Sequence, residues 1–98
     1  MLDKMKALFD MQKKMQEVKR QLDNSSFEIS SRDGLVRLVM NGSQEVKEFV
    51  ITDVAQKIDK AAVEKAAMEA YNMAIKHSHE LAAQKMKEIS GLDFPGAL

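Results

Sequence analysis

From Met1 to Leu22 the apolar residues keep a heptad, with Met1, Leu8, Met15 and Leu22 in one position and Met11 and Val18 in another, and neither Gly nor Pro interrupts. The pattern predicts an amphipathic helix over residues 1–22, about six turns and roughly 30 Å long. A second helical stretch is Ala-rich, opens on Asp59 as N-cap and runs over 59–89, where Ser90-Gly91 ends it. At 1.5 Å per residue it is roughly 45 Å long. What lies between suffices for only a small sheet. Two helices of these lengths outrun such a sheet, so their ends must project or find a partner.

The intervening residues change period. Asp23, Asn24, Ser25 and Ser26 stop the first helix with turn-forming side chains. Phe27 and Ile29 then alternate with Glu28 and Ser30, Asp33-Gly34 marks a turn, and Leu35 to Met40 is a β-rich run. Asn41-Gly42 predicts a tight hairpin in which both residues take positive φ. A third strand over Glu45 to Ile51 completes an antiparallel sheet across 27–51. A short turn is expected at Val54 to Ile58, and Pro95-Gly96 places residues 90–98 in a loose tail. The expected architecture is α+β: a long N-terminal helix, a three-stranded antiparallel sheet and a long C-terminal helix, in a single domain over 1–98.

Of the apolar residues 11 are Ala, the chain has no Cys or Trp, and a monomer of this size buries only about 60–65% of its unfolded surface. A homodimer is therefore expected, with the heptad seam and Ala66, Ala67, Ala70 and Ala74 as places of close packing against a second subunit or the sheet. Without Cys there is neither a disulfide framework nor thiolate chemistry, which fits a reducing cytosol. No stretch approaches the ~20 apolar residues of a membrane span. The opening MLDKMKALFDMQKK carries charges where a signal peptide needs an apolar run. The expectation is a soluble, cytoplasmic protein.

Catalytic constellations are missing: there is no Gly-rich phosphate loop and no nucleophile elbow, so the chain reads as neither an enzyme nor the holder of a cofactor. His77, His79 and Glu80 are the one candidate metal group. His77 and His79 point apart on a helix, and surface histidines are the better reading than a metal site. The methionines read as packing material rather than as a binding groove.

Charge is more informative. The net charge is zero, but residues 1–22 carry an excess of three positive charges and residues 23–53 an excess of three negative ones. Lys6, Lys13 and Arg20 recur every seven residues, in a stripe about 21 Å long and away from the apolar seam. Asp3, Asp10 and Glu17 each precede one of them by three residues, which favours intrahelical ion pairs. Spacing alone fits both solvated ion pairing and phosphate contact. The acidic stripe also argues against a membrane-surface helix. On the second helix Lys65, Lys76 and Lys87 share a face, with Glu69 and Glu80 placed to pair with the first two.

The string Gly34 to Gly42, GLVRLVMNG, followed by Val46, Phe49 and Ile51-Thr52-Asp53, resembles the central signature of the YbaB/EbfC family of bacterial nucleoid-associated proteins. Ala70-Tyr71-Asn72-Met73-Ala74 is similar to that family's Ala-x-Asn-x-Ala helix. Met11-Gln12-Lys13-Lys14-Met15-Gln16 resembles its opening, and the Gly91 to Gly96 tail its Pro-Gly ending. The resemblance implies a dimer joined through its sheets with helices projecting like tweezers. It places Asn41-Gly42 at the hairpin and Asn72 as a polar group of the helix packed on the sheet. It implies double-stranded DNA binding in the cytoplasmic nucleoid, in nucleoid organisation and gene regulation.

DNA contacts would come from Lys6, Lys13, Lys14 and Arg20 of the first helix and Lys76, Lys85 and Lys87 of the second. The expected action is clamping or bridging of duplex DNA through phosphates with weak sequence specificity, since Arg occurs only at 20, 32 and 37. The alternative is a protein-interaction module whose arms grip a recombination or replication protein.

Overall fold

A computed structural model describes residues 2–57 and 59–91. Leu2–Asp23 form α1, Ser26–Ser30 β1, Val36–Asn41 β2, Val46–Ile51 β3, Asp53–Lys57 a short 3-10 helix, and Lys60–Ser90 α2. The strands lie in the order β1-β2-β3, each antiparallel to its neighbour. The fold is α+β, with the element order that the periodicity predicts. The expected loose tail around Pro95-Gly96 lies outside the described residues, as does Ile58 at the end of the expected short turn.

Local chemistry accounts for the element ends. At the head of α2 the Asp59 carboxylate accepts from the Ala62 N–H at 2.8 Å, satisfying a donor that has no intrahelical partner. At its foot Gly91 adopts a left-handed φ of 74° and donates its N–H to the Lys87 carbonyl at 2.9 Å. α1 stops because the Asn24 amide takes the Arg20 carbonyl at 2.8 Å and the Ser25 hydroxyl takes that of Gln21 at 2.6 Å.

The core is thin. Val36, Leu38 and Met40 project from one face of β2 and are fully buried against Ala66, Ala70 and Ala74. Small residues at four-residue spacing let the helix axis approach the sheet closely. Phe27 and Ile29 of β1 and Ala62, Val63, Ala67 and Ile75 of α2 complete this layer. The alanines thus serve the sheet.

β3 is left out of that cover. The register sets Ile51 opposite Val36, Phe49 opposite Leu38 and Val46 opposite Met40, all on the core-facing side. Yet α2 packs on β1 and β2, and Val46, Phe49 and Ile51 stay 43%, 45% and 57% exposed.

The β2–β3 hairpin departs from the expected two-residue turn. Gly42 does not have positive φ; Gln44 does, at 65°. The Gln44 N–H reaches the Asn41 carbonyl at 3.2 Å and the Asn41 N–H that of Glu45 at 3.0 Å, giving a three-residue loop that ends in a left-handed residue. Gly42 is required for a different reason. A Cβ there would lie 2.6 Å from Leu22 Cδ2 and 3.2 Å from Leu22 Cα, because the hairpin tip is pressed against the end of α1. Its N–H donates to the Leu22 and Ser25 carbonyls at 3.0 and 3.1 Å.

Asn41 joins α1, the sheet and α2. Fully buried, it donates through Nδ2 to the Asp23 carbonyl at 3.1 Å and to Glu45 Oε1 at 2.9 Å. Its Oδ1 accepts from the Ser43 and Glu45 N–H groups at 2.9 and 3.0 Å, and its carbonyl accepts from the buried Ser78 hydroxyl at 3.1 Å. Asn72, by contrast, is exposed and does not pack on the sheet, because the buried face of α2 follows the Ala66, Ala70, Ala74 row.

α1 is buried only at its sheet-proximal end. Val18 and Leu22 are buried and Met15 half-buried, whereas residues 2–14 are exposed on every side. Only part of the heptad seam therefore finds a partner within the chain. The long helices give the described residues extents of 66 × 23 × 16 Å.

Candidate nucleic-acid interface

The exposed half of α1 carries the cations whose role spacing left open. Along the stripe the answer changes. Arg20 is held by Glu17, Nε to Oε2 at 2.9 Å with a second contact from Nη2 to Oε1, and Gln21 adds a donor at 3.1 Å. These donors hold the Glu17 carboxyl down at about 2, and Glu17 in turn raises the Arg20 guanidinium further. Lys6 and Lys13 make no such pair with Asp3 and Asp10, and Lys14 also has no ion-pair partner among the described residues. Three open cations thus sit on a helix with no protein around it. Lys4, outside the predicted set, is exposed in the same way.

The α2 residues scatter. Lys85 is mostly covered and lies 3.6 Å from Glu88, whereas Lys87 is exposed, with no ion pair among the described residues. Lys76 stands away from both, in an open cleft at the β1 edge lined by Ile29, Arg32, Met73, Lys76, His77 and Glu80. Glu69, placed by sequence to pair with Lys65, instead accepts the Arg32 N–H at 2.8 Å. The His77 ring packs edge-on against Phe27 with centroids 4.4 Å apart, and His79 is half-buried. Arg32 beside Lys76 is a cation that sequence reasoning missed; a loop folded onto a helix far along the chain leaves no periodic signal.

The seven predicted residues therefore form no single cluster. Lys6, Lys13 and Lys14 share the free arm, Lys87 lies near the end of α2, Lys76 sits on the body, and Arg20 and Lys85 are engaged in ion pairs. Of the remaining arginines, Arg37 is fixed between Glu28 at 3.5 Å and Glu48 at 3.0 Å on the outer sheet face. The methionines divide: Met40 is core, Met15 and Met86 are half-buried, and Met5, Met11, Met68 and Met73 are exposed. Among the described residues no helix is long and apolar enough to cross a membrane.

This architecture has solved counterparts. The crystal structure of HP0035, an uncharacterized protein from Helicobacter pylori, superposes with a TM-score of 0.71 at 25% identity, over 82% of this chain and 86% of that one. In sequence, a nucleoid-associated protein of Syntrophobacter fumaroxidans is 34% identical, across 97% of this chain and 86% of its own length. One from Clostridium novyi is 33% identical across 94% and 82%, and one from Ruminiclostridium cellulolyticum 32% across 89% and 76%. The model of the YbaB/EbfC DNA-binding family matches residues 1–92, and the chain belongs to that family.

Proposed function

We propose that this chain is a DNA-binding protein of the bacterial cytoplasmic nucleoid that acts as a homodimer and clamps or bridges duplex DNA with its α1 arms, mainly through phosphates. The observation that carries the reading is the free arm, where Lys6, Lys13 and Lys14 stand exposed and without ion pairs on a helix that the body does not cover. Flexible cations at helical spacing suit phosphate contact. Lys76 and Lys87 add contacts from α2, while Arg20 and Lys85 contribute less because an acidic neighbour already holds each. Weak specificity follows from the arginines: Arg20 and Arg37 are tied to carboxylates, so few side chains remain for bidentate base readout.

The dimer is supported by the bare core-facing side of β3. Val46, Phe49 and Ile51 form an apolar strip along a sheet edge, where a second copy would supply the missing cover. Joined there, two chains would carry their arms outward.

The test is a fluorescence-anisotropy titration of duplex DNA with wild type and with Lys6→Ala/Lys13→Ala/Lys14→Ala. Wild-type affinity falls steeply between about 50 and 200 mM salt, and the variant binds more weakly with a shallower salt dependence. Unchanged affinity in the variant would sink the arm assignment, and no binding by wild type at low salt would sink the function. Salt-insensitive capture of a protein partner would instead favour the interaction-module reading, with the exposed apolar side chains of the arm as the grip.

A further inference from the structure

Where the flank of α2 meets β1, the surface holds a cleft of about 370 Å³ that combines apolar and charged lining. Half-buried Ile29 and the exposed Met73 supply the apolar part, and Arg32 and Lys76 the cations. Neither cation has an ion pair among the described residues. Glu80, four residues after Lys76, does not pair with it, and half-buried Glu69 turns to the Arg32 N–H instead.

The strand beside the cleft is an open edge. In the order β1-β2-β3, β1 pairs only with β2, through five consecutive residues without a bulge. About half of its N–H and C=O groups therefore point away from the sheet. Among the described residues no backbone bond outside that ladder takes them up. Edges are commonly blunted by Lys, Pro or a bulge, and SFEIS has none of the three. The edge also lies across the sheet from β3, so the homodimer proposed above leaves it open.

Two ties fix how the walls run. Arg32 is level with Glu69 through its N–H, and Phe27 with His77 through the ring contact. α2 thus runs antiparallel to β1 along the cleft, with Glu80 at the end away from Arg32. Residues 73–80 span about 10 Å, the length of three extended residues.

We propose that this cleft docks an extended acidic peptide of a partner protein, added as a strand to the β1 edge. Residues two apart on a strand share a face, so an apolar side chain rests on Ile29 and Met73 while a carboxylate two positions along meets Arg32 and Lys76. Glu80 repels a carboxylate at the other end and so sets the direction of the peptide. The backbone of DNA has no amides to offer a strand edge, and phosphates gain nothing from Ile29 and Met73. A second copy of β1 is a poor occupant, because its one carboxylate, Glu28, lies on the outer sheet face 3.5 Å from Arg37. Filling the cleft withdraws Lys76 from DNA and leaves Lys6, Lys13 and Lys14 free. The assignment is independent of DNA binding.

The test is an amide NMR titration of the full chain with the synthetic peptide Gly-Ser-Ile-Thr-Asp-Thr-Asp-Ser-Gly. Shifts are expected at 26–30 and 73–80 and not at 2–14. Replacing both Asp of the peptide by Asn, or Arg32→Ala/Lys76→Ala in the protein, weakens binding about tenfold. Both side chains are exposed, so the variant keeps the remaining spectrum of wild type. Methylating the peptide nitrogens at alternate residues abolishes binding in one phase and spares it in the other, because strand addition uses every second N–H. No shift at millimolar peptide, equal binding by the Asn peptide, or equal effects of the two methylation phases overturns the proposal. So does a short duplex that shifts the same amides and resists displacement by the peptide, which would make the cleft a DNA contact. Shifts at 26–30 that follow protein concentration alone also overturn it, in favour of an interface between copies.

Discussion

At the scale of the residue, Asn41 and Gly42 show how one dipeptide can serve tertiary rather than local needs. Asn41→Ala strips partners from the Asp23 carbonyl and the Ser43 and Glu45 N–H groups, so it costs roughly 2–4 kcal/mol in urea unfolding. Asn72→Ala, at an exposed position of the family-like helix motif, changes stability by less than about 0.5 kcal/mol. Gly42→Ala drives a methyl into Leu22 and costs about 1–3 kcal/mol although Gly42 has no positive φ. A hairpin limited only by turn conformation would tolerate that alanine.

Three carboxyls are held below their ordinary pKa. Glu17 is held low by Arg20 and Gln21, Asp23 by the Ser43 hydroxyl and Lys19, and Asp33 by the Ser31 hydroxyl and the Leu35 N–H. A carboxyl whose folded pKa is depressed stabilises the fold above its unfolded value and loses that contribution as pH falls toward the folded one. For Glu17 the window runs from 4.5 down to about 2. The Tm therefore stays level near neutrality and drops through that range, with a smaller drop in Glu17→Gln, as a pH series of thermal melts would record.

At the scale of the element, α1 is two structures in one helix. Its last turns, at Val18 and Leu22, belong to the body, and its first turns are a charged, half-apolar rod. The stripe of Lys6, Lys13 and Arg20 looks uniform in sequence but is divided by Glu17, whose side chain engages Arg20. Lys13→Ala consequently weakens duplex binding more than Arg20→Ala does, measured by anisotropy at one low salt concentration. Equal losses would mean that the ion pair opens without cost when DNA arrives, as the small worth of exposed pairs allows.

At the scale of the whole molecule, the question is what covers β3. In the single chain the third strand shows Val46, Phe49 and Ile51 to water, and the proposed homodimer covers them. Phe49→Glu sets a charge in the centre of that strip and is expected to yield a monomer in sedimentation equilibrium, with the helix content unchanged in circular dichroism. It should also weaken DNA binding, because two arms on one body bind more strongly than one by the effective concentration of the second. A variant that stays dimeric would place the interface elsewhere.

The sequence by itself determined the elements. Heptad, alternation, Asp59 and Gly91 mark helices and strands through short-range steric and hydrogen-bonding rules, and these act wherever the chain goes. The uneven charge along the chain was equally legible. Only the tertiary structure decided which end of α1 is buried, why Gly42 must lack a side chain, that Asn41 ties α1 and α2 to the sheet, and that Arg32 stands beside Lys76. Those facts depend on how closely two surfaces approach after distant segments meet. Periodicity carries no information about that distance.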